Sequence, residues 1–144
     1  MLALFTSPAT GQFPIISARQ YTAGSVKLTV RGSVQIDQEV PINVPASYSD
    51  GEVTWLQFGV SGSAEPNVLI TYGETKEIGV TIGKEKFVAT GGIVPGEPSQ
   101  CTGKTDVAKA LVSGHYSCKG IASHDGATGA MGKVDIEVHF SAKT

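Results

Sequence analysis

The chain has 144 residues and a formal net charge of −2, with 11 Lys and Arg against 13 Asp and Glu. That near-neutral balance excludes a general electrostatic attraction to nucleic acid or anionic lipid, and the length suits one domain with its own core. Glycine stands at 18 residues, and Val, Thr and Ser are frequent, which favours strands and tight turns over helices. No segment approaches the ~20 apolar residues of a membrane helix, so no membrane span is expected. The opening Met-Leu-Ala-Leu-Phe lacks the basic residue and long apolar run of a secretory signal.

Residues 1–24 place Pro8, Gly11 and Pro14 among apolar side chains, which blocks regular helix and leaves an extended path. Leu2, Leu4, Phe5, Phe13, Ile15 and Ile16 are too apolar for a solvated tail. They predict an arm laid on a hydrophobic surface, its own or a partner's, with a plain first strand as the alternative.

From Ser25, Val26, Leu28 and Val30 alternate with Lys27, Thr29 and Arg31, the period of a half-buried strand. Gly32 allows a bend or bulge before Val34 and Ile36 resume the pattern. Val40, Ile42 and Val44 predict a short strand that Pro41 and Pro45 confine to an edge. Further strands are expected over 53–60 and 67–72. Glu77 to Thr90 reads as a hairpin with Gly83 and Lys84 as a two-residue turn, which sets Val80 opposite Phe87 and Ile78 opposite Ala89. Trp55, Phe58, Tyr72 and Phe87 are expected in the core.

Residues 106–112 read as one short helix, capped by Thr105 or Asp106 and ending near Gly114. Beyond it, Tyr116, Cys118, Gly120 and Ala122 alternate with His115, Ser117 and Lys119, while Val134, Ile136, Val138 and Phe140 alternate with Asp135, Glu137 and His139. One simple register across the intervening loop pairs Lys119 with Asp135 and His115 with His139.

The chemistry-bearing residues concentrate between Gly92 and Ala122. Gly103, Lys104 and Thr105 resemble the end of the nucleotide-binding loop of ATPases of the AAA type. That loop needs a glycine five positions before its Gly-Lys-Ser/Thr, so that backbone amides wrap the phosphates. Pro98, which has no amide hydrogen, occupies the position, and Gly96 lies too early. Cys101 and Cys118 are too far apart for a redox CxxC pair and too few for a zinc site. They can close one disulfide, or in a reducing compartment Cys118 is a buried small hydrophobe. His115, His139 and Glu137 form a usable metal-ligand set if the register holds, though exposed histidines on a polar face are common. No serine, histidine and acid assemble in a recognised nucleophile elbow.

The segment GHYSCKGIASHDGATGAMGKVDIEVHF resembles the closing part of mycobacterial LpqH-type lipoprotein antigens, in which a strand carrying Gly, Tyr, Gly and Ala is followed by a loop and an alternating strand. VRGSV, from Val30 to Val34, matches an early strand of that family. The resemblance implies a secreted, surface-exposed, non-enzymatic lipoprotein. The sequence departs from it in having no lipid-attachment cysteine near its start.

These readings converge on an all-β protein. It is an antiparallel β-sandwich or barrel with an extended N-terminal arm (1–24), a single domain (25–144) and at most one short helix. No catalytic, cofactor or metal site is expected. The expected function is that of a non-enzymatic structural or assembly protein, a virion component of the phage decoration or tail type. Its partners are protein subunits in a homo-oligomer or larger assembly, reached through the arm. The alternative is a secreted or surface-anchored β-sandwich antigen or binding module.

Overall fold

The computed structural model describes residues 19–49, 53–60, 63–73, 76–82, 87–93, 100–108, 110–126 and 128–144. The arm residues Leu2, Leu4, Phe5, Phe13, Ile15 and Ile16, and the turn residues Gly83 and Lys84, lie outside them. Eleven strands form one antiparallel sheet. They are β1 (Arg19–Gln20), β2 (Ala23–Gly32), β3 (Ile36–Pro41), β4 (Tyr48–Ser49), β5 (Thr54–Phe58), β6 (Pro66–Tyr72), β7 (Lys76–Ile82), β8 (Phe87–Ile93), β9 (Cys101–Val107), β10 (Leu111–His124) and β11 (Met131–Lys143). A single 3-10 turn, Val44–Ala46, is the helical element among the described residues.

The strand order is β1-β4-β5-β6-β7-β8-β10-β11-β2-β3, with β9 attached to β10 beside this path. The long strands follow from period-two alternation. In β11, Val134, Ile136, Val138, Phe140 and Ala142 point inward and the intervening charged and polar residues outward. Val26, Leu28 and Val30 of β2 do the same and are fully buried. The sheet curls into a half-barrel around one apolar core, to which Leu56, Phe58, Val68, Ile70, Ile78 and Val80 contribute from the other half. At one corner the curl closes. Ile42, just past β3, bridges Phe58 of β5, the Asn43 amide donates to the Gln57 carbonyl at 2.7 Å, and the Gly59 amide donates to the Pro41 carbonyl at 2.9 Å. Ser47 is buried there, donating to the Asn43 carbonyl at 2.8 Å and accepting the Gln57 amide at 3.0 Å, so burial leaves its hydroxyl satisfied.

The structure corrects several local readings. The expected helix over 106–112 is not formed: Asp106 and Val107 end β9 and Leu111 and Val112 begin β10, the two arms of a hairpin with Val107 opposite Val112. Gly32 ends β2 rather than bending it, since the chain reverses and pairs Ile36 back onto Val30. The strand expected through Val40, Ile42 and Val44 stops at Pro41 and passes into the 3-10 turn. In the β7–β8 hairpin Val80 faces Ala89 and Ile82 faces Phe87, two residues away from the expected register. A slip of two preserves which side chains point inward, so the hydrophobic pattern alone could not distinguish the two pairings. Trp55 is half-exposed on the outer face and stacks on Tyr48 at 4.9 Å between ring centroids.

Between Cys118 and Ile121 the β10–β11 register shifts by one residue. Gly120 takes φ +60 there, a left-handed conformation that favours glycine, and its amide donates to Asp135 Oδ1 at 2.7 Å. The bulge re-aims the strand. Tyr116 and Cys118 point inward before it, whereas Ile121 and Ser123, not Gly120 and Ala122, do so after it. Lys119 therefore does not pair with Asp135, which sits opposite Arg31 of β2.

Candidate functional site

β10 is the structural axis of the molecule. One edge pairs with β11 over nearly its full length. The other edge takes β9 from Val112 to Cys118, and β8 only at Ser123 and His124. Cys101 and Cys118 are directly opposed in β9 and β10 and form a disulfide, with Cα atoms 4.0 Å apart. Both are buried, and their sulfurs lie over Gly91 of β8. The bond is internal to the β9–β10 hairpin and packs on β8, the strand that takes the same edge of β10 further along.

The Gly-Lys-Thr run that resembles a phosphate loop is mid-strand in β9. Extended backbone sends successive amides to opposite edges, so these residues cannot wrap one anion. Gly103 has a structural reason to be glycine. A Cβ there would lie 2.4 Å from the His115 carbonyl oxygen and 2.5 Å from Tyr116 Cδ1, because the Tyr116 ring covers the position. Thr105 Oγ1 lies 3.1 Å from the Tyr116 hydroxyl, a hydrogen bond that closes the pair.

His115 and His139 are paired as expected, with stacked rings 5.6 Å apart. His139 Nε2 lies 3.8 Å from Glu137 Oε2 on the exposed face. No group of three or more His, Cys, Asp or Glu among the described residues is arranged to hold a metal ion. The pair lines a shallow groove with Lys27, Glu39 and the serines Ser25, Ser113 and Ser141.

The feature that sequence reasoning missed is the outer edge of β9. The Ala108 amide donates to the Leu111 carbonyl at 2.8 Å. By antiparallel alternation, the pairs Val107–Val112, Thr105–Gly114 and Gly103–Tyr116 are then the non-hydrogen-bonded ones. The N–H and C=O of Gly103, Thr105 and Val107 accordingly point away from β10. No strand pairs with that edge among the described residues. Val107 is 64% exposed and Leu111 45%, so the hairpin presents an apolar tip beside an unpaired backbone. The β-branched Thr102, Thr105 and Val107 were the available sequence signal.

No protein-family model matches the chain, and neither the curated proteins nor the solved structures hold a significant match to it. No helix among the described residues is long and apolar enough to cross a membrane.

Proposed function

We propose that this chain is a non-enzymatic structural module that assembles with protein subunits, as a virion component of the decoration or tail type. Its N-terminal arm adds a strand to the open β9 edge of a neighbouring copy. The observation that carries this reading is the β9 edge, with three residues aiming their backbone groups outward beside exposed Val107 and Leu111. β9 carries exposed Lys104 and Asp106 but no proline from Cys101 to Val107, and an unpaired strand edge templates pairing with another chain. Strand addition supplies main-chain hydrogen bonds for affinity and leaves side-chain pockets to set register. An apolar arm of the kind formed by Leu2, Leu4, Phe5, Phe13, Ile15 and Ile16 is chemically suited to that role.

The test is sedimentation velocity on the full chain, on a variant lacking residues 1–18, and on Val107→Pro. The proline removes an outward amide while sparing the β10 ladder. The full chain is expected to self-associate and both variants to sediment as monomers. Self-association that survives both changes, or a monomeric full chain, would overturn the reading.

A second reading is a secreted or surface-anchored binding module. The buried disulfide favours it, since such bonds persist in oxidising compartments. A mass measurement on freshly isolated, alkylated protein separates the cases. Alkylated Cys101 and Cys118 would place the protein in a reducing compartment and exclude this second reading.

A further inference from the structure

We propose that the end of the half-barrel under the β10–β11 loop is a binding site for a small, neutral, mostly apolar molecule bearing one carbonyl-type acceptor. A cavity of ≈ 350 Å³ opens there, within the size range of small-molecule pockets. Its apolar wall includes Val34 from the β2–β3 turn, Ile82 from the end of β7 and Met131 from the start of β11. Val34 and Ile82 pack on the core, whereas Met131 is 69% exposed at the rim, a flexible and polarizable side chain.

The polar element is a pair of hydroxyls. Ser33 and Ser123 both line the cavity, and their Oγ atoms lie 2.9 Å apart. Ser123 is only 3% exposed. A hydroxyl has one proton to donate and two lone pairs to accept. In a two-hydroxyl pair only one of the two protons is used between the partners. No other side-chain hydrogen bond of either serine occurs among the described residues; with exposed Ser33 donating to Ser123, the proton left for an acceptor inside the cavity is that of buried Ser123. A buried donor without an acceptor is costly, and a ligand oxygen satisfies it.

Charge narrows the class. Asp125 also lines the cavity, and its carboxylate oxygen accepts the Thr128 amide at 3.3 Å, which orients the side chain at the mouth. A carboxylate ligand would meet like charge there, whereas a neutral ketone, ester or amide would not. Gly132 makes room for the hydroxyl pair. A Cβ at that position would lie 2.8 Å from Ser33 Cβ and 2.9 Å from its Oγ.

The test uses three matched probes on the isotopically labelled full chain, followed by amide chemical shifts: acetophenone, ethylbenzene and benzoate. Acetophenone should saturate, with shifts confined to residues around Val34, Ile82 and the β10–β11 loop. Ethylbenzene, lacking the acceptor, should bind about three- to tenfold more weakly, the loss of one hydrogen bond, and benzoate should not bind. Ser123→Ala should erase the preference for acetophenone while retaining ethylbenzene. Gly132→Ala should weaken both. Ser123→Ala retains both wall and fold contacts if its thermal midpoint stays close to that of the parent, so the result does not depend on the glycine variant. Non-saturating or scattered shifts, or an acetophenone preference that survives Ser123→Ala, would overturn the proposal.

Discussion

Tyr116 is 1% exposed, shares a hydrogen bond with Thr105 and meets Phe140 edge-on at 5.6 Å between ring centroids. Burial pushes its pKa up, against a smaller opposing effect of the Thr105 hydrogen bond. The folded protein therefore holds this proton more tightly than the unfolded chain does. The associated stability is whole below the ordinary tyrosine value of about 10 and is lost as pH rises through the folded value. Tyr116→Phe should cost about 1 kcal/mol at neutral pH and flatten the alkaline loss of stability, read as urea midpoints between about pH 9 and about pH 11. Parallel decline of the two proteins would refute this. The alternation placed Tyr116 on the inner face, but nothing local indicated that its ring would lie on Gly103. That contact depends on β9 being a strand. Ser33 and Ser123 were equally invisible, because they belong to different strands and meet only where the sheet curls.

The β9–β10 hairpin is where local preference and tertiary structure disagree most. Asp106 to Leu111 contains good helix formers behind a plausible cap, and helix propensity is a weak prior that packing overrides. Here the disulfide and Tyr116 hold β9 against β10, and the short run alone cannot bury a helical face. The same two cysteines are symmetric about the hairpin tip, since Cys101 opposes Cys118 just as Val107 opposes Val112. That symmetry was readable as a cross-strand bond only once a strand was assumed. The bond closes a separation of 17 residues. Replacing both Cys101 and Cys118 by Ala should lower stability by about 3 kcal/mol in the loop-entropy view. A urea midpoint unchanged by that double substitution would show that the hairpin is held by its packing alone. The bulge at Gly120 was likewise hidden. One inserted residue reverses facing beyond it, and a strict two-residue alternation carries no mark of it.

At the scale of the molecule, the half-barrel depends on one continuous core and on the corner where Ile42 meets Phe58. Phe58 is fully buried and serves both, so Phe58→Ala should cost about 3–5 kcal/mol. Amide exchange should then accelerate in β3 and β5 together. Acceleration confined to β5 would mean that the corner does not couple the two ends of the sheet. The all-β class, the alternation of β2 and β11, and the opposition of His115 and His139 followed from the sequence by itself. The physical reason is that an inward-facing apolar residue at every second position admits only one backbone period. The tertiary structure alone decided the sheet order, the two-residue register slip in β7–β8, the strand identity of Asp106, Val107, Leu111 and Val112, the closure of the disulfide and the cavity beneath the β10–β11 loop. Each of these depends on contacts between residues distant in the chain. Their free energies come from packing and pairing across the curled sheet, and no local window of sequence contains them.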